Sequence, residues 1–159
     1  MQPLEKIRDW HIDQLRKDIN VIRFVLENAS DDDLKTIRDG GDGWTVAEVM
    51  GHLRDYEHLY LERANMTLEQ EMAPLRNPDP DATAAEGRYN EKDVWAVYED
   101  WVVARRAYIA FMEAVSDENL WEKPASHPKR GPFTLHDQLF LTVWHDTNHI
   151  EQMVHILLA

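Results

Sequence analysis

At 159 residues the chain suffices for one well-packed domain and is short for two. Its 43% hydrophobic and 30% charged residues describe an ordinary globular protein and exclude a disordered one. With 17 Lys and Arg against 30 Asp and Glu, the formal net charge of −13 repels phosphate backbones and anionic membranes, so nucleic acid is not an expected partner.

In chain order the pattern is helical almost throughout. Residues 3–28 carry Leu4, Ile7, His11, Leu15, Ile22 and Val25 near a helical period, and Pro3 suits a first turn, where its missing N–H would have no partner anyway. Ser30, followed by Asp31 to Asp33, reads as a cap opening a short helical turn. Residues 39–43 form a turn-rich connector. Thr45 and Glu48 match a capping box, which predicts a helix over residues 46–72. Residues 73–89, with Pro74, Pro78, Pro80 and Gly87, read as a long loop that crosses one end of a bundle or covers a site. Asn90 is the expected cap of a third long helix, which places Val94, Tyr98, Trp101, Val102, Arg105, Tyr108 and Met112 on one stripe. Ser116 opens another short turn, and residues 127–132 read as a connector. Thr134 and Asp137 then start a last helix that runs close to Ala159.

Ser30-Asp31-Asp32-Asp33-Leu34 resembles Ser116-Asp117-Glu118-Asn119-Leu120, and Trp44-Thr45-Val46-Ala47-Glu48 resembles Phe133-Thr134-Leu135-His136-Asp137. Either the chain is two copies of helix, short turn, connector and helix, or capping signals simply recur as they do in any helical protein. Both readings predict an all-α fold: a single-domain four-helix bundle with a long crossover loop.

The chemistry concentrates in three histidines. His145 and His149 lie four residues apart on the last helix, about 40° apart around its axis, so both rings leave one face. His52 is seven residues past the cap Thr45, while His145 and His149 are eleven and fifteen past Thr134, which puts all three on equivalent stripes. Three converging imidazoles make a metal site with positions left for water or substrate. There are no cysteines, which excludes disulfides, thiolate ligands and a cysteine nucleophile. His11 reads as a core histidine, His58 and His155 fall off the stripe, and His127 and His136 lie in a connector and at a helix start. Arg105, a cation on an apolar stripe, needs an acidic partner, Glu48 or Asp55, or a bound anion that would make it a substrate-binding residue.

GWTVAEVMGHL early in the chain and HDTNHIEQ near its end, together in an all-helical chain, resemble the DinB/YfiT-like superfamily over essentially the whole length. The resemblance carries the metal-ligand positions onto His52, His145 and His149. It implies a divalent ion, zinc or nickel, and an activity like that of relatives that transfer bacillithiol, mycothiol or glutathione, or isomerise maleylpyruvate. The implied partners are a small-molecule thiol and an electrophile, with a metal-dependent hydrolase or a non-catalytic metal-binding stress protein as alternatives. Relatives often pair as homodimers, although the sequence itself leaves the oligomeric state open. On a helical wheel Glu48, Asp55, Tyr56, Asn148 and Gln152 project near the ligands, as candidates for orienting them or moving protons. MQPLEKIRDW lacks the apolar core of a signal peptide and no apolar run could span a bilayer, so a cytoplasmic protein without a membrane partner is expected.

Overall fold

Four long helices carry the fold in the computed structural model, which describes residues 3–159. They are α1 (Pro3–Glu27), α3 (Val46–Glu69), α5 (Val94–Ala114) and α7 (Leu135–Leu158). The two capping boxes form as the sequence predicts. Thr45 Oγ1 accepts from the Glu48 N–H at 3.1 Å while the Glu48 carboxylate accepts from the Thr45 N–H at 2.8 Å. Thr134 and Asp137 repeat the exchange at the start of α7, at 3.3 and 2.8 Å. Ser30 caps the short helix α2 (Asp31–Thr36), accepting from the Asp33 N–H.

Several connectors are more ordered than expected. Residues 73–89 are not all loop: α4 (Pro80–Gly87) lies within them, capped by Asp79, whose carboxylate accepts from the N–H groups of Asp81 and Ala82. An Asp cap followed by Pro at the first helical position is a helix start, and the prolines masked it. Asp93, rather than Asn90, caps α5. Asn90 sits in a 3-10 turn (Tyr89–Glu91), and its side-chain oxygen accepts from the Thr45 hydroxyl at 2.6 Å. Likewise Asp117, not Ser116, caps α6 (Glu118–Trp121). The connector at 127–132 belongs to a small antiparallel hairpin, β1 (Ala125–His127) with β2 (Gly131–Phe133). Strands of three residues carry too little alternation to be read from sequence. Backbone bonds between Ser126 and both Ala73 and Leu75, at 2.8 and 2.9 Å, tie the strap before α4 to this hairpin.

Helices α1 and α3 each pack against both α5 and α7, so α1 lies diagonally opposite α3 and α5 diagonally opposite α7. The links through α2 and through α6 with the hairpin therefore each cross a diagonal, one in each half of the apparent duplication. Two apolar clusters fill the interior. One holds Ile22, Met50, Leu53, Trp101 and Met153, the other Leu15, Tyr60, Tyr108, Met112 and Leu139. Between them lies a buried polar layer with one charged residue from each long helix: Asp18, Glu57, Arg105 and Asp146. Gly51 lets the Tyr89 ring lie on α3 beside His52, since a Cβ there would stand 2.1 Å from that ring.

Candidate metal centre

His52 from α3 and His145 and His149 from α7 meet beside this polar layer. One ligand atom from each ring can be chosen so that all lie within 4.8 Å of one another. The Nε2 atoms of His52 and His145 are 2.8 Å apart. That spacing is within what two nitrogen donors about 2.1 Å from one ion can bridge.

Burial depresses the basicity of all three. His52 is lowered to about 3, chiefly by burial and then by His149. His145 is held well below the ordinary imidazole value by burial, and then by His149 and His52. His149 is lowered by burial as well, opposed by its bond to Gln152. The rings are therefore neutral near pH 7, with lone pairs free for a cation. His52 Nδ1 and His145 Nδ1 are buried without a hydrogen-bond partner, and the two Nε2 atoms face each other. A cation shared by those Nε2 lone pairs suits this donor set, in which no carboxylate takes part.

Of the five residues expected near the three histidines, two touch an imidazole and a third, Asn148, borders the same cavity as His149. Gln152 Oε1 accepts from His149 Nδ1 at 2.8 Å, which leaves His149 Nε2 for a metal, and its amide donates to Asp39 at 2.8 Å. The Tyr56 ring stacks on His145 with centroids 5.4 Å apart, and its hydroxyl donates to the Pro78 carbonyl at 3.1 Å. Trp44 covers the rings of His52 and His149. The other three make their hydrogen bonds elsewhere. Glu48 serves the helix cap and Arg38, and Asp55 accepts from the Tyr89 hydroxyl and Arg54. Asn148 donates to the Trp144 carbonyl of its own helix.

Arg105 finds the acidic partners that a cation on an apolar stripe needs, but not the expected ones. It pairs with Glu57, at 2.8 and 2.6 Å, and with Asp146, at 2.6 and 3.1 Å, rather than with Glu48 or Asp55. Glu48 is spent on the first turn of α3, and Asp55 leaves the helix about 200° away from Glu57. A fifth bond, to the Leu15 carbonyl, occupies the last guanidinium donor, and the side chain is 0% exposed. Arg105 thus has no donor for a substrate; it joins α5 to the two helices that carry the ligands.

Two cavities flank the triad. One, of about 260 Å³, reaches His149 and is bordered by Asp39, Glu151 and Gln152. The other, of about 400 Å³, reaches His145 and is lined by the aromatic rings of Tyr56, Tyr60 and Trp144 and by the cations Arg63, Lys129 and Arg130. Sequence reasoning passed over these three cations. Arg63 carried a readable signal, since it lies eleven residues past His52 and so only about 20° around α3 from it. Lys129 and Arg130 sit in a hairpin turn with no periodicity to place them.

A family model described as the DinB superfamily matches residues 14–153. A solved structure of YfiT from Bacillus subtilis, described as a probable metal-dependent hydrolase with an unusual four-helix bundle topology, is similar with a TM-score of 0.86 and 23% identity. The likeness covers 98% of this chain and 87% of that one. No curated protein matches the chain. Among the described residues no helix is long and apolar enough to cross a membrane.

Proposed function

The chain belongs to the DinB superfamily, and from that premise we propose that it is a divalent-metal enzyme, using zinc or nickel, that joins a low-molecular-weight thiol to a small electrophile. The observation that carries this reading is the convergence of three neutral imidazoles in a ligand group without a carboxylate. When bound, the ion supplies Lewis acidity, lowering the pKa of a coordinated thiol or water so that a nucleophile exists at neutral pH. His52, His145 and His149 would hold it, and Gln152 orients the His149 ring through Nδ1. Trp44 and Tyr56 pack over the imidazoles and restrict water. Because the chain has no cysteine, the thiol must enter as a cosubstrate. In the transfer a sulfur–carbon bond forms as the bond from carbon to its leaving group breaks, and the thiol proton leaves with that group. A hydrolase reading, with water as the nucleophile, is favoured by the description of YfiT as a probable metal-dependent hydrolase.

Elemental analysis of the purified protein is expected to find about one divalent ion per chain, with most of it lost in His149→Ala. Full occupancy in a His52→Ala, His149→Ala double variant would refute the site. The metal-loaded chain should consume bacillithiol, mycothiol or glutathione in the presence of a reactive halide. Ester cleavage without thiol loss would establish the hydrolase reading instead.

A further inference from the structure

The cavity beside His145 is anomalous in charge. The chain carries 30 acidic residues against 17 basic ones, yet this cavity is lined by three cations and no carboxylate. Arg63 is the most telling of them. It is only 2% exposed, but among the described residues it has no acidic partner. Its Nε and Nη2 donate to the Arg76 carbonyl and, at 3.4 Å, to Asn77, so Nη1 has no partner among the described residues. A buried guanidinium without a counter-ion is costly, and the cost is relieved when an anion enters. Lys129 and Arg130, on the hairpin turn, likewise form no ion pair among the described residues, whereas Arg54, Arg76 and Arg88 all do. His127, also on the wall, accepts from the Lys129 N–H through Nδ1, which leaves Nε2 as a donor. Its pKa is lowered first by burial and then by Arg63, Arg130 and Lys129, so the four groups act on one another.

We propose that this cavity is the subsite for a carboxylate-bearing small substrate of the metal centre, its acid group held by Arg63, Lys129 and Arg130 and its reactive end directed to the edge of His145. The aromatic faces of Tyr56, Tyr60 and Trp144 suit an apolar or planar stretch between the two ends. A volume of about 400 Å³ fits a small molecule rather than a polymer. The inference rests on the metal-enzyme reading for the role of the site, but binding of the anion does not require the metal.

The test is calorimetric titration of benzoate and of its neutral isostere benzamide into the full chain, metal-free and metal-loaded. Benzoate should bind both forms at least about tenfold more tightly than benzamide, with an affinity that falls as salt rises. Arg63 also supports the Arg76 backbone, so the decisive variant is Lys129→Gln, Arg130→Gln, at exposed positions, which should weaken benzoate by about tenfold or more. Equal binding of benzoate and benzamide, or unchanged affinity in that variant, overturns the subsite. Benzoate binding that requires the metal and survives Lys129→Gln, Arg130→Gln assigns the carboxylate to the ion, refuting the subsite while keeping the metal enzyme. Benzoate binding that is lost with Lys129 and Arg130, in a chain that takes up no metal, has the opposite meaning: it upholds the anion site and removes the metal reading.

Discussion

Asp18→Asn should make the protein more stable, and increasingly so as pH rises. Asp18 is 1% exposed; Oδ1 accepts from Gln14 at 2.7 Å, while Oδ2 is buried with no hydrogen-bond partner. Burial, and then the charge of Asp146, raise its pKa from 3.8 to about 6. The folded state therefore holds this proton more tightly than the unfolded chain does. Stability from that proton is fully present below pH 3.8, is lost as pH rises from 3.8 to about 6, and is constant above. A shift of about two units corresponds to about 3 kcal/mol, of which about 2 kcal/mol falls between pH 4 and 7. Asparagine keeps the acceptor for Gln14 and offers an amide donor beside Asp146, and it does not titrate. Urea denaturation of both proteins from pH 4 to 8 should give a stability difference that grows by about 2 kcal/mol and levels off above pH 7. A difference that is the same at pH 4.5 and pH 7.5 would refute the account of Asp18 as a strained buried acid.

Arg105→Met removes the counter-charge from Glu57 and Asp146 together and should cost about 3–5 kcal/mol in urea denaturation; a loss under about 1 kcal/mol would mean that water already reaches this layer. Gln152→Ala leaves all three ligands but frees His149 Nδ1, so competition with a chelator should show metal affinity about 10–100-fold weaker with an unchanged stoichiometry at saturation. Affinity equal to that of the unaltered chain would show that Gln152 does not orient the ring.

The convergence of His52, His145 and His149 was readable because helical periodicity and capping are local. Thr45 and Thr134 set the register of α3 and α7, and from each cap a count of seven, eleven or fifteen residues leads to the same stripe. Periodicity says which face a side chain leaves, but not which helix stands opposite. That is why Arg105 was recognised as an anomaly while its partners were misassigned: choosing Glu57 over Asp55 requires knowing that α5 packs on the far side of α3. Asp39 was beyond reach for a related reason, since it meets Gln152 from a 3-10 turn with no period at all. Arg63 lay within reach, about three turns along α3 on the stripe of His52.

The placement of Arg105 gives the polar layer a positional consequence for the candidate metal site. The three histidines come from α3 and α7, and both helices are continuous through the bundle. Glu57 follows His52 by five residues and Asp146 follows His145 by one, so each carboxylate is rigidly linked through its helix to one of these histidines. A single guanidinium grips both, with all five donors engaged and no exposed surface. Sliding α7 against α3 by one residue, about 1.5 Å, would break those bonds and separate the Nε2 atoms that now lie 2.8 Å apart. Apolar packing alone tolerates small slips between helices, because hydrophobic contact is non-directional. The buried ion network therefore fixes the relative height of α3 and α7, and with it the meeting of three histidines carried on two separate elements.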